Sequence, residues 1–167
     1  GKSKMNDIVK LSSEIANLLK KNKQTVSVIE SSSGGLISSA LLSQEGASTY
    51  YMGGQVIYTL QSIRAITDLR IRELKEKNIR SSSEPFVLLI AQKACSLYET
   101  DWAIGESGAA GPSGNGYGDP AGYSCFAVAG KKEKTSHIYT NSEIRVENME
   151  TFAKAALEQF FEILKTN

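Results

Sequence analysis

Two short stretches hold residues whose types and spacing could do chemistry. Ser31-Ser32-Ser33-Gly34-Gly35 follows an apolar run and precedes one with helical spacing, so its hydroxyls fall on a strand-to-helix turn. A serine there sits beside backbone N–H groups at the positive end of a helix dipole, and glycines let a ligand approach the chain closely. Such a turn can bind a phosphate or stabilise an oxyanion. In isolation the same pattern also serves as a plain cap, with one serine capping the helix and the others solvated. The second stretch, Glu106 to Gly122, reads as a loop whose length and Gly/Pro content exceed what a connection needs; such loops carry function or are flexible insertions.

The remaining reactive side chains suggest less. His137 is the only histidine and has no sequence-near acid or Cys partner, and the two cysteines, Cys95 and Cys125, form no C-x-x-C pair. Together they supply no usual zinc site, and as free thiols in apolar surroundings both read as small hydrophobes. Asp68, Glu73, Asp101 and Asp119 form no spaced ligand cluster, so no metal and no cofactor is expected. Gly1-Lys2-Ser3 mimics the end of a P-loop, without the preceding strand or glycine spacing that motif requires. The run "RIRELKEKNIR" alternates charge signs at helical spacing, as a solvated helix face does.

The elements that would position these residues follow from periodicity. Ile8, Leu11, Ile15, Leu18 and Leu19 recur at helical intervals over Asn6 to Lys21, with Asn6 or Asp7 placed to cap. Thr25 to Ile29 is β-branched and bounded by turn formers, a buried strand, and Leu36 to Leu42 is a second helix. "QVIYTL" after Gly53-Gly54 predicts another strand, with short helical pieces from Gln61 to Lys77. Ser83, Glu84 and Pro85 form a strong helix start. "DWAIGES" predicts a short strand, "YSCFAVAG" and "KTSHIYT" a hairpin turning at Gly130 to Glu133, and Arg145 to Lys165 a closing helix. Helices alternating with apolar strands predict an α/β class, and 167 residues suit one domain over the whole chain.

Composition narrows the function classes. Nineteen basic residues against eighteen acidic ones leave a formal charge of +1, no broad field for nucleic acid or anionic lipid. No apolar run reaches membrane-spanning length, and the polar start "GKSKMNDIVK" lacks a signal-peptide apolar region, so a cytoplasmic protein is expected.

Taken in order, "IESSSGG", "YMGGQVIYT", "SSSEP", "ESGAAGP" and "DPAGYSCFAVAG" resemble the family of the C-terminal domain of the competence- and damage-inducible protein CinA, whose stand-alone bacterial members are nicotinamide mononucleotide deamidases. The resemblance implies a single three-layer α/β/α domain with a mixed sheet, assembled as a homo-oligomer and acting on a small pyridine nucleotide. The family reaction is amide hydrolysis, which needs a nucleophile, a base and donors for the oxyanion. By the resemblance Ser31 is the nucleophile and Tyr58 its hydroxyl partner. The backbone of Ser33, Gly34 and Gly35, beside Glu30, forms an oxyanion or substrate cradle. Ser107, Gly108, Ala110, Gly111 and Arg145 line the nucleotide site.

The chain departs from the family at its second landmark. In "YTLQSIR" the family asparagine falls on Leu60 and the lysine that assists the serine falls on Ile63, which carries no proton. Arg64, one residue on, stays protonated and is a poor base, although it could bind phosphate. The family Cys-Thr is Ser32-Ser33, which keeps a hydroxyl at Ser33. A deamidase and a nucleotide-binding or regulatory homologue without catalysis both fit this sequence.

Overall fold

The computed structural model describes residues 4–166, so Gly1-Lys2-Ser3 lies outside the described residues. One five-stranded sheet, in the order β2-β1-β3-β4-β5, carries helices on both faces. The strands are β1 (Val26–Glu30), β2 (Tyr51–Val56), β3 (Trp102–Ala109), β4 (Tyr123–Gly130) and β5 (Lys134–Tyr139). The helices are α1 (Lys4–Asn22), α2 (Leu36–Leu42), α3 (Leu60–Thr67), α4 (Ile71–Glu76), α5 (Glu84–Tyr98) and α6 (Arg145–Lys165). β1 pairs in parallel with both β2 and β3, while β4 runs antiparallel to β3 and β5, so the sheet is mixed.

Side-chain alternation along each strand divides the core into two layers. Val26, Val28, Ile104, Phe126 and Val128 face one way and pack on α1, α2 and α6 through Ile8, Ile15, Leu19, Leu41, Leu157 and Phe160. Ile29, Ala103, Cys125 and Ala127 face the other way and pack on α3, α4 and α5 through Ile63, Leu74, Phe86 and Ile90. The expected three-layer α/β/α arrangement is thus the observed one.

Three sequence-based boundaries shift, each for a local reason. The second strand lies earlier than "QVIYTL" and ends at Val56, because Thr59 caps α3: its Oγ1 accepts from the Ser62 amide (3.1 Å) and its own N–H donates to Ser62 Oγ (3.0 Å). β3 continues to Ala109, so Glu106 belongs to the sheet and the long loop begins only after it. α1 (Lys4–Asn22) includes Asn6 and Asp7, which therefore lie inside the helix and not at its cap. Ser83 caps α5 as expected, accepting from the Phe86 amide at 3.4 Å, and α6 spans the predicted residues.

Candidate functional site

The parallel strands β2, β1 and β3 end together at one edge of the sheet. From β1 the chain leaves through α2 on one face; from β2 it returns to β3 through helices on the other. That reversal leaves a crevice beyond the strand ends, the usual ligand position in open α/β sheets. The serine turn after β1, Tyr58 after β2 and the Ala110–Gly122 loop after β3 all lie at this edge.

Two buried carboxyl groups, Glu30 and Glu106, lie beneath the serine turn, and both are 0% exposed. Glu30 Oε1 accepts from the amides of Gly35 (2.9 Å) and Ile37 (3.2 Å) and Oε2 from that of Ser38 (3.0 Å), so a carboxylate caps α2 where the sequence suggested a serine. Glu106 Oε1 accepts from the amides of Ser31 (3.1 Å) and Ser33 (2.9 Å). Its Oε2 meets the hydroxyls of Ser32 and, at 2.8 Å, Ser124. Ser33 Oγ lies between the two acids, 2.6 Å from Glu30 Oε1 and 2.9 Å from Glu106 Oε1.

A hydroxyl has one proton to offer and Ser33 meets two carboxyl oxygens, so the cluster is best satisfied when one acid keeps its own proton. Burial pushes the Glu106 carboxyl above its ordinary value; hydrogen bonds from Ser32, Ser33 and Ser124 oppose that shift, and the nearby Glu30 charge adds to it.

This arrangement corrects the expected oxyanion cradle. The Ser33 amide donates to Glu106, the Gly34 amide to Ser31 O (3.0 Å) and the Gly35 amide to Glu30, so these N–H groups point into the protein. Glu30 likewise shapes the turn from below instead of reaching a ligand. The physical reason is the demand of two desolvated carboxyl groups for donors, which outweighs the demand of an exposed site. Ser31 itself is partly exposed above the cluster.

The first turns of α6 tie the three strand ends together. Arg145 Nη2 donates to Tyr58 Oη at 3.0 Å and Nη1 to Gly111 O at 2.6 Å. Asn148, buried, donates to Ala110 O and to Ser142 O at 2.8 Å each and accepts from Thr140 Oγ1 at 2.6 Å. Met149 lies against Gly34, where a Cβ would come within 2.4 Å of its Cε. The structure therefore brings Tyr58, Arg145 and Gly111 into one hydrogen-bonded set, with Tyr58 65% exposed and open to a ligand.

Ser107 and Gly108 are fixed by their neighbours in the sheet. The Ser107 side chain points to the α5 face, opposite Glu106, and shares a 2.8 Å hydrogen bond with Ser82 Oγ. Gly108 is demanded by β4: a Cβ there would lie 2.3 Å from Tyr123 O. The glycine-rich loop is pinned rather than free. Arg80 forks onto Asp119 (2.5 and 3.1 Å) with its guanidinium 4.9 Å from the Tyr117 ring centre. Asn115 Nδ2 also donates to Asp119, at 2.8 Å. Burial alone would raise the Asp119 carboxyl, but the bonds from Arg80 and Asn115 outweigh it and hold the group below its ordinary value.

Ile63 is 7% exposed and packs in the α5-side core, while Leu60 and Arg64 stand at the surface. His137, given no role from sequence, pairs with Glu84 through Nδ1 at 2.8 Å. Sequence reasoning missed Glu106 and Asn148. For Glu106 a signal existed: an acid at an inward position of the alternating run "WAIGES" needs a partner. Among the described residues no group of three or more His, Cys, Asp or Glu is arranged to hold a metal ion, and no helix is long and apolar enough to cross a membrane.

Known proteins share this architecture. Residues 8–164 match the CinA C-terminal domain family. A CinA-like protein of Sulfurihydrogenibium sp. is 34% identical over 127 residues, 76% of this chain and 31% of that protein. Another from Chlorobium limicola is 28% identical over 160 residues, 93% of this chain and 37% of that protein. The chain thus spans about a third of the length of these curated relatives. The crystal structure of a competence or damage-inducible protein from Enterobacter asburiae superposes with a TM-score of 0.87 at 25% identity, covering 94% of this chain and 98% of that one.

Proposed function

The chain belongs to the CinA C-terminal domain family, and we propose that it binds a pyridine mononucleotide across the ends of β1, β2 and β3 without hydrolysing the amide at the rate of a deamidase. The observation that carries this reading is Ile63, a core side chain at the position where the resemblance places the family's lysine. Loss of a general base costs about a hundred to ten thousand in rate. The inward-turned amides of Ser33, Gly34 and Gly35 remove the donors that would stabilise an oxyanion. Binding keeps its support in the exposed Tyr58 hydroxyl held by Arg145, the Gly111 backbone beside it and the partly exposed Ser31.

Tyr58 also favours a second reading, a deamidase in which the oriented phenol hydroxyl serves Ser31 directly. Incubation of nicotinamide mononucleotide with excess protein, following ammonia and nicotinic acid mononucleotide, separates the two. The expected result is no product above that of Ser31→Ala. Serine-dependent ammonia release would establish the second reading instead.

A further inference from the structure

Of the five arginines in the sequence, two are committed. Arg80 is neutralised by Asp119, and Arg145 is bonded to Gly111 and Tyr58. Arg64, Arg70 and Arg72 make no side-chain hydrogen bond or ion pair among the described residues. All three line one cleft of about 580 Å³ between α3 and α4, completed by Leu60, Gln61, Leu69 and Ile71. No carboxylate lines it.

Three guanidinium groups around one concavity repel each other, and the apolar walls focus their field where counter-ions are sparse. The protein as a whole has a formal charge of only +1, so this concentration is local. The volume suits a small molecule. Planar guanidinium forks match the oxygens of a tetrahedral anion two at a time, and three of them call for more charge than a single carboxylate brings. We infer that this cleft is a binding site for the phosphoryl group of a small molecule, separate from Ser31, Tyr58 and Arg145. The charged run that looked like a solvated helix face thus contributes two of its arginines to one site. The phosphoryl group could belong to the mononucleotide at the strand ends or to a second, independent ligand; the chemistry of recognition is the same.

The test is isothermal titration of the full chain with inorganic pyrophosphate at fixed ionic strength, for the wild type, Arg64→Gln and the double variant Arg70→Gln/Arg72→Gln. All three positions are exposed, so folding should be unchanged by circular dichroism and melting temperature. One saturable site, weakened at least tenfold in the double variant and also in Arg64→Gln, is expected. Equal affinity in all three proteins, or no saturable binding, would overturn the inference. Nicotinamide mononucleotide as a second titrant distinguishes the sources. If it competes with pyrophosphate and weakens in the same variants, its own phosphate occupies the cleft. If both bind together, the cleft takes a separate ligand. Pyrophosphate binding in a protein that fails to bind the mononucleotide would sustain the cleft and refute the proposed function.

Discussion

Glu106 is the residue on which the serine turn rests. Its folded value is raised above the unfolded one, so the native state holds its proton longer; that contribution is complete below the unfolded value and is lost as pH rises through the folded one. The stability advantage of wild type over Glu106→Gln should therefore shrink with rising pH, at up to about 1.4 kcal/mol per pH unit within that window. Chemical denaturation of both proteins from pH 5 upward reads the trend, and a constant difference would show that Glu106 does not titrate there. Ser33 gives a companion expectation. Removing its hydroxyl in Ser33→Ala leaves two buried carboxyl oxygens short of a partner, at a cost of about 1 to 3 kcal/mol, whereas Ser33→Thr keeps the hydroxyl and should lose far less. Equal losses would locate the effect in packing.

At the scale of elements, the start of α6 acts as a clamp on three strand ends. Asn148 makes hydrogen bonds to three separate residues from a buried position. Asn148→Ala should cost about 2 kcal/mol and speed amide exchange in the loop after β3, which Ala110 and Ser142 help to anchor. Exchange rates unchanged in that loop would mean that Arg80 and Asp119 hold it without help. Most of this architecture was legible in the sequence because α1, α2, α5 and α6 carry strong helical periodicity or caps and β1, β4 and β5 carry β-branched or aromatic runs. β2 was misplaced because Gly53 and Gly54 dilute its strand signal while Val56 to Tyr58 attract the assignment. Asn148 was hidden on the buried face of a helix, where its polar partners lie far away or in loops.

For the whole molecule, the turn after β1, Tyr58 and the loop after β3, which the motifs drew together, lie at one edge of the sheet. What the motifs could not convey was direction. Ser107 and Glu106 are neighbours in sequence yet serve opposite faces of the sheet, and the amides of Ser31 and Ser33 turn inward because Glu106, 75 and 73 residues away, claims them. Such long-range pairing is set by strand order and not by local pattern. The most direct test is a calorimetric titration of nicotinamide mononucleotide into wild type and Arg145→Ala. One-to-one binding that weakens at least tenfold when the Tyr58–Arg145–Gly111 set is broken is the predicted result. Binding unchanged by the substitution, or no binding at millimolar ligand, would contradict the assignment of the strand-end crevice.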